Sequence, residues 1–253
     1  MRIEVAKFSA FVVDLDGVVT KTAEVHAVAW KRLFDDLLAR TAGEQPWQPF
    51  DLDREYRAYV DGKPRLDGLR DFLAARGISI LEGTPQDSAD LDTIYGLAKR
   101  KNRYVLESLG RGDVGVHADS VGLLQKARTM GVRLAVVTAS ENCAAVLAAA
   151  HLHALFAAQI DGLDLARLRL RGKPAPDSFL EATRRLGVEP SHAVVFEDAI
   201  AGVQAGRAGG FGLVIGVDRV GRGDALHRAG ADVVVTSLDE IELVRGETRA
   251  EPL

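Results

Sequence analysis

A single cysteine, Cys143, occurs among the 253 residues. No disulfide can close within the chain, so nothing ties the fold to an oxidising compartment, and a cytoplasmic location is the default expectation. Positive charge is not in excess: the formal net charge is −4, and lysines and arginines are scattered rather than striped. That pattern argues against a nucleic-acid partner. No apolar run approaches the length of a bilayer span, so no membrane partner is expected. The short apolar run near the N-terminus follows charged residues and ends at an aspartate, too soon for a signal peptide. Neither a Gly-x-Gly-x-x-Gly after the first strand nor a Walker sequence is present, which ranks a non-catalytic nucleotide-binding module last among the candidate functions. Internal repeats and low-complexity tracts are lacking, and the charged tail after Arg245 is expected to fray.

What the chain does have is 47% hydrophobic and 27% charged residues, enough for one large domain or two modest ones. Phe11-Val12-Val13 leads into Asp14, as in a buried parallel strand at its carboxyl end. Runs of the same kind occupy Val132 to Thr138, Ala193 to Glu197 and Gly212 to Val217, with a last one from Asp232 to Thr236. Helical patterns lie between them, over Ser120–Met130, Glu141–Ala150, Asp177–Leu186 and Ile200–Ala208, several closed by glycine. The alanine-rich stretch from Ala144 to Ala158 reads as a core helix and its exit. Such alternation implies an α/β fold, a Rossmann-like parallel sheet covered on both faces. The stretch from about Thr20 to Gly110 breaks the rhythm, with helical periodicity over Thr22–Arg40, Asp51–Val60, Leu66–Arg76 and Asp87–Leu109 and no convincing strand. The expected organisation is an α/β core of residues 1–20 and 110–253, with a helical domain of residues 21–109 inserted after the first strand.

The polar residues at the strand ends carry the chemistry. Asp14-Leu15-Asp16-Gly17 places two carboxylates where ligands collect in an open parallel sheet. The first can serve as a nucleophile if a cation offsets its charge, and the second can deliver and remove protons. Two surface acids in a solvated turn would give the same four letters. Thr138-Ala139-Ser140 offers hydroxyls and amides at a helix start, suited to a phosphate or simply to capping. Lys173 sits in the proline-stiffened loop Gly172-Lys173-Pro174-Ala175-Pro176, where a lone lysine would ordinarily be solvated. Glu197-Asp198 ends another strand. Four carboxylates from two strand ends suit a hard cation such as Mg2+.

In this order the motifs, Asp-x-Asp-Gly-x-x-Thr, Thr-x-Ser, Lys-Pro and Glu-Asp, resemble the haloacid dehalogenase superfamily across the whole core. The resemblance implies that Asp14 attacks the phosphoryl group, Asp16 is general acid and base, and Thr138 and Lys173 hold phosphoryl oxygens. It also implies magnesium bound by the Asp14 carboxylate, the Asp16 backbone carbonyl, Glu197 and Asp198. The position of the helical insert resembles the cap of the β-phosphoglucomutase-like subfamily. By that resemblance Thr22-Ala23-Glu24-Val25-His26 is the cap hinge, with His26 bonding Asp16. Lys101 and Asn102 reach in from the cap, Arg65 grips the substrate's non-transferring phosphate, and Ser140 and Asn142 line the same distal site.

Several positions depart from the subfamily pattern. Lys21 replaces an aspartate, Thr138 a serine, and Glu141 a lysine near the distal phosphate, where a carboxylate would repel a dianion unless it points away. Lys63 is a candidate replacement for the missing charge. The resemblance implies a small phosphorylated sugar as partner and a mutase that interconverts β-D-glucose 1-phosphate and D-glucose 6-phosphate. Glucose 1,6-bisphosphate would be its intermediate and activator, and the protein a monomer or weak dimer. The alternative is a sugar-phosphate phosphatase built on the same aspartate.

Overall fold

The computed structural model describes residues 1–43, 46–110 and 114–246. The tail expected to fray lies, beyond Gly246, outside these residues. Six parallel strands form the main sheet: β2 (Ala10–Asp14), β3 (Arg133–Val137), β4 (Ala158–Ile160), β5 (Ala193–Glu197), β6 (Leu213–Val217) and β7 (Val233–Val235). Their spatial order is β4-β3-β2-β5-β6-β7. The chain works outward from β2 in one direction and then from β5 in the other, so the order reverses between β2 and β5. That reversal opens a crevice at the carboxyl ends of these two strands.

Side chains alternate across the sheet as the period of two demands. Phe11, Val13, Leu134, Val136, Val194, Phe196, Ile215 and Val217 share one core, and Ala10, Val12, Ala135, Val137, Ala193, Val195 and Val214 share the other. The first face packs against α4 (Ala118–Thr129) and α5 (Cys143–Ala149), the second against α7 (Asp177–Leu186), α8 (Ile200–Ala208) and α9 (Gly223–Ala229). The expected doubly covered α/β sheet is what the chain forms.

Between β2 and α4 lie α1 (Thr22–Ala42), α2 (Arg65–Ala75) and α3 (Ile94–Leu109). They pack on each other around their own apolar cluster. Phe34 is its hub, with ring centroids 3.9 Å from Phe72 and 4.8 Å from Phe50. Residues 20 and 116 pair as an isolated bridge where the chain leaves and rejoins the sheet region.

Four expectations need correction. A strand β1 (Arg2–Glu4) precedes β2 and pairs in parallel with β8 (Glu242–Val244), so the helical insert follows the second strand of the chain and the first of the main sheet. The helix expected from Asp87 begins only at Ile94, because Thr93 caps it by accepting from Gly96 N at 3.0 Å. Of Asp51–Val60, only Tyr56–Val60 is helical, in a π-helical turn. Asp51 bends the chain before it by accepting from the amides of Asp53 and Arg54. The alanine-rich stretch ends as helix at Ala149 and, past a left-handed His151 (φ 57°), yields the edge strand β4. The short α6 (Gly162–Leu168) follows it. Among the described residues no helix is long and apolar enough to cross a membrane.

Candidate active site

Asp14 is the last residue of β2, and the register that pairs Val13 with Phe196 sets it beside Glu197 at the end of β5. The chain then turns sharply: Gly17 N donates to Thr20 O, and Thr20 N to Leu15 O. Gly17 has φ +100°, and a Cβ there would fall 2.1 Å from Asp198 Oδ2. Only glycine serves both the turn and the close approach of that carboxylate.

Asp14, Glu197 and Asp198 each offer a carboxylate oxygen within 4.8 Å of the other two. Lys173 reaches in from the loop before α7, bonding Asp14 Oδ1 and, at 2.6 Å, Glu197 Oε2. Its side chain is 2% exposed, and the Phe179 ring lies 4.9 Å away. Burial alone would lower the Lys173 pKa, but Asp14 and Glu197 hold it above its ordinary value. Burial and the neighbouring Glu197 push the Asp14 carboxyl well up despite Lys173. Burial, Asp14 and Glu197 do the same to Asp198. One ammonium among three clustered carboxylates leaves a deficit of positive charge in a hard, all-oxygen donor set. These residues fit a magnesium ion.

The Asp16 side chain turns away from this cluster. Its Oδ2 accepts from Thr138 Oγ1 at 2.6 Å and its Oδ1 from Thr22 Oγ1. His26 Nε2 stands 3.6 Å from Oδ1. Burial opposes charge on Asp16, yet His26, Thr138 and Thr22 outweigh it and leave the carboxyl below its usual range. Burial lowers His26 to about 4, with Lys101 adding to the effect. The imidazole is therefore neutral near pH 7. Lys101 Nζ lies 2.7 Å from His26 Nδ1; when Lys101 is protonated it can only donate, so Nδ1 accepts and the ring proton sits on Nε2, facing Asp16. Lys101 is itself brought down to about 7 by burial and by Arg65.

The helical insert closes over these groups. A Cβ at Gly172 would fall 1.9 Å from Pro64 Cγ, and one at Gly62 3.0 Å from Ala199 Cβ. Asp61 Oδ2 accepts from Arg222 Nη1 at 3.1 Å, and Asn102 Oδ1 from Asn142 Nδ2 at 2.9 Å. Arg65 Nη2 meets Glu141 Oε2 at 2.5 Å. About 70 Å³ of cavity remains, bounded by Asp14, Asp16, His26, Arg65, Lys101 and Asp198 among others. That is well below the roughly 300 Å³ or more usual for small-molecule sites.

All ten residues named for catalysis and substrate binding from the sequence thus stand in or beside one crevice. Asp14, Asp16, His26, Arg65, Lys101, Asn102, Thr138 and Ser140 line the cavity, Lys173 bonds Asp14, and Asn142 is held to Asn102. Thr138 spends its hydroxyl proton on Asp16, and Ser140 Oγ accepts from Asn142 N at 3.2 Å. Lys63 also lines the cavity, with its ammonium bonded to Asp71 Oδ2 at 2.7 Å. The sequence reading missed Thr22, although it lies in the hinge, and the Asp61–Arg222 clasp, for which Arg222 carries no local signal.

Comparison with known proteins agrees with this architecture. Residues 8–210 match the haloacid dehalogenase-like hydrolase family. A curated β-phosphoglucomutase from Mycobacterium bovis is 46% identical over 241 residues, covering 93% of this chain and 92% of that one. Another from Bacillus subtilis is 30% identical over 92% of each chain. The crystal structure of β-phosphoglucomutase from Clostridium difficile superposes with a TM-score of 0.73 at 24% identity, covering 93% of both chains. The chain belongs to the haloacid dehalogenase-like hydrolase family. Within it the chain falls in the β-phosphoglucomutase-like branch, and it is an enzyme of the phosphotransferase or phosphatase kind.

Proposed function

We propose that the chain is a phosphosugar mutase that interconverts β-D-glucose 1-phosphate and D-glucose 6-phosphate through a bisphosphorylated sugar. The observation that carries this reading is the placing of cationic side chains on the two sides of one crevice. Lys173 lies beside Asp14 at the sheet, while Arg65 and Lys101 face it from the insert. A molecule with a phosphate at each end needs such a pair of walls, and 46% identity to a curated β-phosphoglucomutase supports the choice.

In this mechanism Asp14 Oδ attacks phosphorus in line, and the bond to the sugar oxygen breaks as Asp16 gives that oxygen a proton. Lys173 holds the transferring oxygens, joined by the Thr138 hydroxyl once Asp16 releases it to serve the sugar oxygen. His26, held by Lys101, keeps Asp16 oriented while the insert, residues 21–109, acts as a cap and excludes water. Asp14, Glu197, Asp198 and the backbone carbonyl of Asp16 would hold magnesium, which supplies charge neutralisation at the phosphoryl group when bound. In the full cycle phospho-Asp14 first gives its phosphoryl group to the free hydroxyl of the sugar monophosphate while Asp16 takes the hydroxyl proton. The bisphosphorylated sugar then turns within the closed site, and Asp14 removes the other phosphoryl group as Asp16 returns that proton to the leaving oxygen.

A second reading, a sugar-phosphate phosphatase, draws on the Arg65–Glu141 pair. An arginine already neutralised by a carboxylate grips a distal phosphate less firmly, so the bisphosphate would escape and water would discharge Asp14. A panel of sugar phosphates, assayed with and without glucose 1,6-bisphosphate, separates the two. Isomerisation stimulated by the bisphosphate supports the mutase; release of inorganic phosphate without isomerisation selects the phosphatase.

A further inference from the structure

Glu141 puts a carboxylate on the wall that an anionic substrate must share. It stands in the turn before α5, with Oε2 2.5 Å from Arg65 Nη2, while Arg65 Nη1 donates to Ala98 O at 3.2 Å. The Arg65 side chain is 15% exposed and that of Glu141 43%. A Cβ at Gly162 would fall 3.0 Å from Glu141 Cγ, so the bare glycine lets the Glu141 stem lie across the start of α6. Lys63 bonds Asp71, and Lys101 lies against His26. The Arg65–Glu141 pair itself carries no net charge.

We infer that Glu141 is a specificity-determining residue, an internal stand-in for the substrate's non-reacting phosphate that a bisphosphorylated sugar must displace from Arg65. The inference rests on the proposed function, which sets Arg65 at the non-reacting end. A phosphate dianion and a carboxylate repel each other strongly at contact in a partly buried site, so the two exchange rather than share the guanidinium. The displaced side chain has somewhere to go. Glu141 and Arg65 both also line a second cavity of about 860 Å³, with Lys99, Arg103 and Arg171 on its walls. The exchange weakens bisphosphate binding and favours sugar monophosphates whose far end is a hydroxyl, which can donate to the Glu141 carboxylate itself.

Calorimetric titration tests this with Asp14→Ala protein in magnesium, which cannot turn its ligands over. Two probes are used: glucose 1,6-bisphosphate, and inorganic phosphate, which has no distal group. Adding Glu141→Gln should tighten the bisphosphate by at least about fivefold and inorganic phosphate by less than about twofold, the scale expected of a released, partly exposed ion pair. In an Arg65→Ala background the gain should vanish. Equal tightening of both probes, no tightening, or a gain that survives the loss of Arg65 overturns the inference. Bisphosphate that binds neither form overturns it too. These readouts do not depend on turnover. Failure of the proposed function would appear separately, as unmodified protein inert towards every sugar phosphate offered.

Discussion

The carboxylate of Glu197 lies directly against Gly202 in the first turns of α8: a Cβ built there would fall 2.0 Å from Glu197 Oε2. Glycine inside a helix ordinarily costs about 1 kcal/mol relative to alanine. Here the missing methyl makes room for a carboxylate of the proposed metal site. Gly202→Ala should therefore lose stability, by roughly 1–3 kcal/mol of overpacking, and demand severalfold more magnesium for half-maximal activity. Thermal melts and a metal-activation curve check both. A variant that melts higher with an unchanged magnesium requirement would show that Glu197 is free to move aside.

Lys173 stands between Asp14 and Glu197 with its charge fully buried. Removing one member of such a cluster strands the others, at a cost of about 3 kcal/mol or more. Lys173→Met should abolish turnover and lower the melting temperature in chelator. It should also recover more stability on adding magnesium than the unmodified protein does, because the ion would replace part of the lost positive charge. Equal magnesium shifts in both proteins would argue that Lys173 and the metal do not offset the same carboxylates.

Asp14→Ala is expected to eliminate turnover and the phosphoryl adduct that intact-mass spectrometry should detect on the unmodified protein. Asp16→Asn should still accept the phosphoryl group from an activated donor but react very slowly with sugar phosphates, since an amide cannot pass a proton to the leaving oxygen. Normal rates on sugar phosphates would remove Asp16 from that role.

These residues were legible in the sequence because buried parallel strands read as unbroken apolar runs, and a polar residue ending such a run must lie at the carboxyl edge of the sheet. Asp14, Thr138 and Glu197 were found in this way. Lys173 was placed by its family motif, since a loop lysine has no periodicity to locate it. The strands β1 and β8 escaped notice because each is only three residues long and its partner lies at the other end of the chain. Periodicity also ran past the true start of α3, where Thr93 captures the amide of Gly96. The pairs Arg65–Glu141 and Asp61–Arg222 join elements far apart in the chain. Charge pattern along one segment cannot report them.

Asp119 ties the start of α4 to the final segment of the chain. It accepts from Arg219, Ser237 Oγ and Leu238 N. Burial opposes its charge, but the Arg219 guanidinium and the Leu238 and Ser237 bonds hold the carboxyl well below the usual carboxylate range. A depressed carboxylate contributes stability that is fully present above its unfolded value, near 4, and is lost as pH falls towards the lowered one. Asp119→Ala should cost about 2 kcal/mol at pH 7, the worth of charged hydrogen bonds. The gap in melting temperature should narrow steadily below about pH 4. A gap independent of pH would mean that Asp119 acts by packing rather than by charge.

On the proposed function, Arg65 is the residue that should decide between isomerisation and hydrolysis. In a mutase the bisphosphorylated sugar must turn so that either phosphate faces Asp14, which requires a cation that grips whichever phosphate is idle. A guanidinium does this through two parallel bonds of fixed geometry, so lysine should replace it only in part. The energy of that remote contact also favours closure of the insert over Asp14, shutting water out of the aspartyl phosphate. Arg65→Ala should slow isomerisation of β-glucose 1-phosphate by about a hundredfold or more, equivalent to about 3 kcal/mol of transition-state stabilisation. Part of that loss comes from Glu141, which in the variant faces the idle phosphate with no partner, so Arg65→Ala combined with Glu141→Gln should recover some of the rate. Acetyl phosphate, which has no distal phosphate, should still phosphorylate Asp14 at nearly the original rate. If Arg65→Ala slows acetyl phosphate as much as the sugar phosphates, Arg65 does not grip the distal phosphate, and its bond to Ala98 O marks it as a support of the insert.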